Sequence, residues 1–284
     1  MSPNWRKALY LFGGSLGVLG IVFVALRLHS YVEELDFSQF TPRVWSLIFF
    51  LSVVYGAANL FLAVAWRKLL LYFDSQISVA QAIRLFGLSQ LAKYVPGNIV
   101  HLAGRQALGM AIGLLPKPLA KSVLWELGGL LVAGALFTPI VAPLVFELVS
   151  AWLSLTVFTA ALLCAWFVVR RLFTTTVSNA LLDQCSFLAI SGVIFVILLE
   201  LVSPQSYSVS LFPALCGAYV IAWLAGFVIP GAPAGVGVRE FVLLFLLKDL
   251  VSEADLLLAV VLGRAITVLG DLIFFLTTLV IKKR

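Results

Sequence analysis

Charged side chains are scarce in this sequence. Only 11% of its 284 residues are Asp, Glu, Lys or Arg, whereas 62% are hydrophobic. Soluble globular domains carry about 25% charged residues, so this chain has too few polar side chains to cover a water-exposed surface. The deficit, with a mean hydropathy of +1.11, predicts an integral membrane protein.

Cysteine and histidine are also few, and their scarcity excludes further classes of protein. The 3 cysteines are odd in number and widely spaced, unlike a disulfide framework. The only histidines are His29 and His101, and no Cys/His cluster suits zinc. The glycine-rich stretch 231–237 lacks a Walker lysine, and no Ser/His/Asp arrangement has a recognisable spacing. We therefore expect no metal, no cofactor and no enzyme activity.

The net charge of +6 does not indicate nucleic-acid binding, because the basic residues flank apolar runs as topology determinants do. Seven of these runs are long enough to cross a bilayer as helices. They are Leu9–Leu28, Val44–Trp66, Leu119–Val141, Ala151–Val169, Phe187–Val202, Leu211–Ile229 and Leu256–Ile281. Basic residues precede the first run, follow the second and fourth, and follow the last, so both termini are predicted to be cytoplasmic.

Two further segments are apolar but interrupted. Residues 78–114 contain Pro96-Gly97, and residues 230–250 contain Pro230-Gly231. The second of these continues the run Leu211–Ile229, and together they form the broken segment 211–250. Proline removes a helix hydrogen-bond donor and glycine permits a bend, so neither segment suits one uninterrupted span. Seven full spans cannot place both termini on one side. We therefore interpret the two segments as re-entrant helical hairpins, although two full crossings in place of either would give the same parity.

The two broken segments share a pattern. Arg105 follows Pro96 at the same spacing as Arg239 follows Pro230, and a long helix with one ionisable residue comes next, Glu126 in VLWE and Arg264 in VLGR. This pattern predicts an internal repeat whose copies have opposite orientations, as in many transporters. The sequence thus predicts an all-α polytopic helix bundle of about 7–8 transmembrane segments. Its single membrane domain, 1–284, would comprise a first half, 8–141, and a second half, 151–281.

At these residues the sequence resembles a known family. KYVPGNIVHLAGR at 93–105, SVLWE at 122–126 and IPGAPAGVGVRE at 229–240 are similar to the transmembrane, flippase-like region of lysylphosphatidylglycerol synthases. The resemblance implies a lipid-handling protein of the cytoplasmic (inner) membrane, in a stand-alone form without the soluble synthase domain. The sequence departs from the family pattern at residues 128–130. Gly128, Gly129 and Leu130 stand where family members commonly have an acidic residue after the Glu126 position.

Arg105 and Arg239 are the leading candidates for substrate binding. Each lies near the start of a half-helix, where unpaired N–H groups favour anions, and a guanidinium group matches phosphate oxygens. Two such ends meeting from opposite faces would form a cationic pocket for a lipid phosphate. The alternative is that each arginine forms a structural ion pair, for which Glu126 and Glu240 are the obvious acids.

Other polar residues near these segments are also candidates. Arg264, Thr267 and Asp271 share one face of the last helix, and they either form buried pairs or assist substrate passage or proton coupling. Lys93 either reaches a headgroup or extends to the interface. His101 is either a ligand or proton carrier, or a hydrogen-bonded structural residue. Asn98 is expected to cap the following half-helix.

Three functions remain open at this stage. The favoured one is translocation of an anionic phospholipid or polyprenyl-phosphate-linked intermediate between leaflets, with the lipid phosphate as the partner. The second is a non-catalytic accessory subunit of a membrane enzyme of envelope-lipid or glycan synthesis. The third is an intramembrane transferase that acts on a lipid phosphate.

Overall fold

The protein is a helical membrane protein, as the sequence predicts. The computed structural model describes residues 41–95, 100–146, 148–203, 206–229 and 237–281, and this part of the chain contains helices and no strand. The ten α-helices within it are α1 (Pro42–Tyr72), α2 (Val79–Gln90), α3 (Val100–Ala111), α4 (Pro116–Ala135), α5 (Thr138–Val145), α6 (Ala151–Leu172), α7 (Thr175–Val202), α8 (Phe212–Val228), α9 (Val238–Leu247) and α10 (Glu253–Val280).

Six helical segments in these ranges are long and apolar enough to cross a membrane. They are α1, the combined segment Pro116–Val145, α6, α7, Val209–Val228 and α10, and each overlaps one predicted span. The predicted span Leu9–Leu28 lies outside the described residues, as do Pro96, Gly97, Asn98, Pro230 and Gly231.

One boundary differs clearly from the sequence-based prediction. The span predicted to begin at Phe187 begins at Thr175, because Thr174 caps the helix by accepting a hydrogen bond from the Val177 N–H. The first turns of α7 contain several polar residues, so the apolar run in the sequence begins later than the helix does. Several of them face the protein, and Ser178 and Gln184 are buried.

The first broken segment consists of short helices. Helices α2 and α3 have 12 residues each, and each is about 18 Å long, too short to cross the roughly 30 Å hydrocarbon core. They pack against each other, with the 3-10 turn Leu91–Tyr94 leading out of α2. These lengths fit a re-entrant segment better than two full crossings.

The second broken segment is built differently. Its first part, Val209–Val228, is a candidate span of 20 residues, and its second part, α9, has only 10 residues. Gly237 precedes α9 with φ of +83°, a conformation that glycine adopts without the steric cost of a Cβ. Helix α9 packs against α8.

The chain forms two compact units. Unit 1 comprises the chain up to Leu127 together with Ala265–Arg284, and unit 2 is Gly128–Arg264. The boundaries fall within α4 and α10 and do not follow the two halves predicted from the sequence, so those halves stay a prediction.

Each unit contains a close helix contact made possible by glycine. In unit 1, a Cβ on Gly270 would lie 2.7 Å from the Ser52 carbonyl oxygen, so α1 and α10 approach closely there. In unit 2, a Cβ on Gly192 would lie 2.9 Å from the Cys216 carbonyl oxygen, where α7 meets α8. Removing the side chain at such points lets helix backbones come into contact inside a membrane.

Candidate functional site

Asp271 is the centre of a buried polar cluster in unit 1. It is fully buried on α10, and it lies about 7 Å along the axis from the midpoint of that helix. Its Oδ2 atom lies 2.6 Å from Lys93 Nζ and accepts a hydrogen bond from the Tyr94 hydroxyl. Both partners belong to the 3-10 turn of the broken segment, so this turn is joined to the middle third of α10.

Two amides complete the cluster. Asn59 on α1 and Gln90 at the end of α2 each donate to Asp271 Oδ1 at 3.2 Å. Gln90 also donates to the Asn59 side-chain oxygen at 2.9 Å, and Asn59 donates to the Tyr55 carbonyl at 3.2 Å. The close contact at Gly270, one residue before Asp271, brings α1 near enough for Asn59 to take part.

Arg105 occupies a second buried site in unit 1. Its guanidinium forms an ion pair with Glu126 on α4. The guanidinium carbon lies 4.7 Å from the centre of the Trp66 ring and 4.6 Å from that of Phe86, so aromatic rings of α1 and α2 surround the cation. The side chain of Arg105 is only 2% exposed, which closes it to an external ligand in this conformation.

A third cation is paired in unit 2. Arg264 on α10 forms an ion pair with Glu240 on α9. Glu240 also accepts a hydrogen bond from the Gly237 N–H at 2.7 Å, which is half of a capping box at the start of α9. The two side chains are 17% and 19% exposed, so this pair is less enclosed than Arg105–Glu126.

The pairs Arg105–Glu126 and Glu240–Arg264 have opposite polarity. In each, a residue on the short helix after the Pro-Gly motif pairs with a residue on the following long helix. The arginine lies on the short helix α3 in the first pair and on the long helix α10 in the second. The VLWE and VLGR motifs therefore end on residues of opposite charge that have the same structural task.

Arg239 differs from these three cations. It lies in the first turn of α9, half-buried, with its guanidinium carbon 5.9 Å from the centre of the Trp223 ring. Its Nε atom is buried and has no hydrogen-bond partner among the described residues. No carboxylate pairs with it in the ranges that the structure describes.

The remaining candidates are distributed around these clusters. His101 lies in the first turn of α3, half-buried, and its Nδ1 has no hydrogen-bond partner within the described ranges. Thr267 is half-buried on α10. Arg264 and Asp271, which were predicted to share a face of α10, pair with Glu240 and Lys93 respectively.

Arg105 and Arg239 belong to different units, so the pocket that they were predicted to share stays a prediction. The alternative that sequence reasoning left open, an Arg–Glu ion pair, is the arrangement present at Arg105. At Arg239 the neighbouring acid pairs with Arg264 instead.

Sequence reasoning missed Asn59, Gln90 and Tyr94 as members of the Asp271 cluster. A signal was present for Asn59, because an amide near the middle of an apolar span needs a hydrogen-bond partner. Gln90 and Tyr94 carried no such signal, since they lie in a segment that several other polar residues already interrupt.

No group of three or more His, Cys, Asp or Glu side chains that could hold a metal occurs within the described ranges. Comparisons of the chain with protein-family models, with curated proteins and with solved structures find no match.

Proposed function

We propose that this protein is a flippase-like membrane protein that binds an anionic phospholipid or polyprenyl-phosphate headgroup and moves it between the leaflets. The resemblance to the transmembrane region of lysylphosphatidylglycerol synthases suggests this activity. The polytopic helical fold and its broken segment of short helices are compatible with it.

One observation carries the proposal. Lys93, Arg105 and Arg264 each have a carboxylate partner, whereas Arg239 has none among the described residues. A cation held partly inside a membrane domain without a counter-ion is costly, and an anionic ligand would remove that cost. Arg239 is therefore the residue we assign to the headgroup phosphate, with the first turn of α9 supplying additional N–H groups.

Arg105 has a different role in this proposal. Its guanidinium is buried between two rings and paired with Glu126. We assign it to holding α3 against α4 and leave phosphate contact to Arg239.

The test is leaflet exchange in liposomes that contain the purified protein. A fluorescent phosphatidylglycerol or polyprenyl phosphate is distributed over both leaflets, and a membrane-impermeant reductant bleaches the outer one. If the protein exchanges lipid, nearly all the fluorescence is lost, whereas protein-free liposomes retain the inner half. We expect Arg239→Gln to slow exchange at least tenfold.

Arg170→Gln is the matched control. Arg170 also lies beside a tryptophan, with its guanidinium carbon 5.1 Å from the centre of the Trp166 ring, but it is exposed near the end of α6. We expect wild-type exchange from this variant. Absence of exchange with every lipid tested, or equal rates for Arg239→Gln and the wild type, would refute the proposal.

A further inference from the structure

The two ion pairs found among the described residues of unit 1 differ in how freely their cations can reach a ligand. Arg105 has a side chain that is 2% exposed, whereas the Lys93 side chain is 26% exposed although its partner Asp271 is fully buried. A lysine also has a flexible stem and a compact charge, in contrast to a planar guanidinium held between rings. Of these two cations, Lys93 is thus the one that can contact a ligand without repacking the core.

The ammonium group of Lys93 retains hydrogen-bonding capacity. It has three N–H donors and contacts Asp271 Oδ2 at 2.6 Å. Among the described residues, the ammonium group otherwise contacts the ring of Tyr94, whose centre is 5.5 Å away. Donors remain for an oxygen atom that approaches from the exposed side.

Asp271, in turn, does not depend on Lys93 alone. Tyr94, Asn59 and Gln90 donate hydrogen bonds to its carboxylate from three different elements. The Asp271 carboxylate therefore keeps hydrogen-bond donors from other residues while Lys93 shares its charge with another anion.

We propose that Lys93 binds a phosphate oxygen of the transported headgroup and that Asp271 is an internal counter-ion that competes with the phosphate for the ammonium. This inference rests on the proposed function and assigns to unit 1 a phosphate contact of its own, independent of the one assigned to Arg239. Such competition suits transport, because a transport site must bind its ligand firmly enough to admit it and weakly enough to release it.

The proposal predicts effects of opposite sign for the two members of one ion pair. Lys93→Gln removes the donor and should weaken phosphate binding at least tenfold. Asp271→Asn keeps the shape of the side chain and one of its two acceptor oxygens but removes the competing charge, so it should strengthen binding severalfold. The double variant should bind like Lys93→Gln, because Asp271 acts only through the lysine.

Binding is measured by calorimetry on the full-length protein in detergent, with dioctanoyl phosphatidate as the probe. Dioctanoylglycerol, which lacks the phosphate, should not show the pattern. Inorganic phosphate serves as a third probe. If it alone reproduces the pattern, the site recognises free phosphate rather than a lipid headgroup, and the lipid part of the inference is wrong.

A purely structural ion pair gives a different result. Both single variants would then lower the unfolding temperature, and neither would change affinity in the folded fraction. Weaker binding by Asp271→Asn would also contradict the proposal. Should Lys93→Gln fail to fold, the sign of the Asp271→Asn effect still decides.

The two proposals fail separately. Leaflet exchange that depends on Arg239, without the Lys93 and Asp271 pattern in detergent, would refute only the inference about Lys93. That pattern without leaflet exchange in liposomes would refute only the proposed translocation.

Discussion

Arg105 pairs with Glu126 inside unit 1, and the contact joins the short helix α3 to the long helix α4. In unit 2 the contact between α9 and α10 has the reverse polarity, with Glu240 on the short helix and Arg264 on the long one. An ion pair can be inverted without loss of its Coulomb attraction. In each broken segment an ion pair thus attaches a helix that is too short to span the membrane to the long helix that follows it. The positions of the acidic and basic residues are exchanged between the two pairs.

The first prediction concerns the enclosed pair. Glu126→Gln leaves the Arg105 guanidinium buried without a counter-charge, and breaking a buried pair in this way costs about 3–5 kcal/mol. Unfolding in an SDS titration, followed by circular dichroism, should show this loss in the free energy of unfolding. Asp249→Asn, at an exposed position after α9, is the control and should change it by less than about 0.5 kcal/mol. An equal effect of the two variants would contradict the buried ion pair.

The second prediction ranks the two pairs. Glu240→Gln should cost less than Glu126→Gln, because the Glu240 side chain is 19% exposed and that of Glu126 is 7% exposed. We expect a loss of about 1–2 kcal/mol, from the weakened ion pair and the weakened hydrogen bond to the Gly237 N–H. The same SDS titration measures it. A larger loss for Glu240→Gln than for Glu126→Gln would show that exposure does not set the strength of these pairs.

Much of the fold follows from the sequence because apolar length alone decides whether a helix can cross a bilayer. The partners of the charged residues follow less well. Spacing along α10 places Arg264 and Asp271 on one face, but it does not identify Glu240 and Lys93 as their respective partners, because those contacts depend on how other elements pack against α10. Asn59 meets Asp271 only because two glycine-containing helices come close, which no pattern within one helix reveals.

The third prediction tests that close contact. Gly270→Ala would place a Cβ 2.7 Å from the Ser52 carbonyl oxygen and 3.0 Å from the Gly56 amide nitrogen. Both are backbone atoms, so α1 must move away from α10, and overpacking of this kind costs about 1–3 kcal/mol. Gly128→Ala is the matched control, since nothing lies within 4 Å of a Cβ there. The control should be neutral or stabilising by up to about 1 kcal/mol, and equal losses would argue against the close approach.

The fourth prediction tests the membrane orientation of α6. Arg170 and Arg171 lie in the last turn of this helix, so the positive-inside rule places its C-terminal end in the cytoplasm and its N-terminal end on the opposite side. In a cysteine-free variant, Leu148→Cys and Phe173→Cys introduce thiols at exposed positions beyond the two ends. A membrane-impermeant maleimide added to spheroplasts should label only position 148, and it should label 173 in inside-out vesicles.

A variant that keeps Cys164 and lacks the other two cysteines is the control for that experiment. Cys164 is exposed on the surface of α6, between the two ends of a candidate span. Because a membrane-impermeant reagent does not enter the hydrocarbon core, Cys164 should resist the reagent from both sides. Labelling of 148 and 173 from the same side would show that α6 does not cross the membrane. Reversed sides would overturn the orientation predicted from the arginines while leaving the span itself intact.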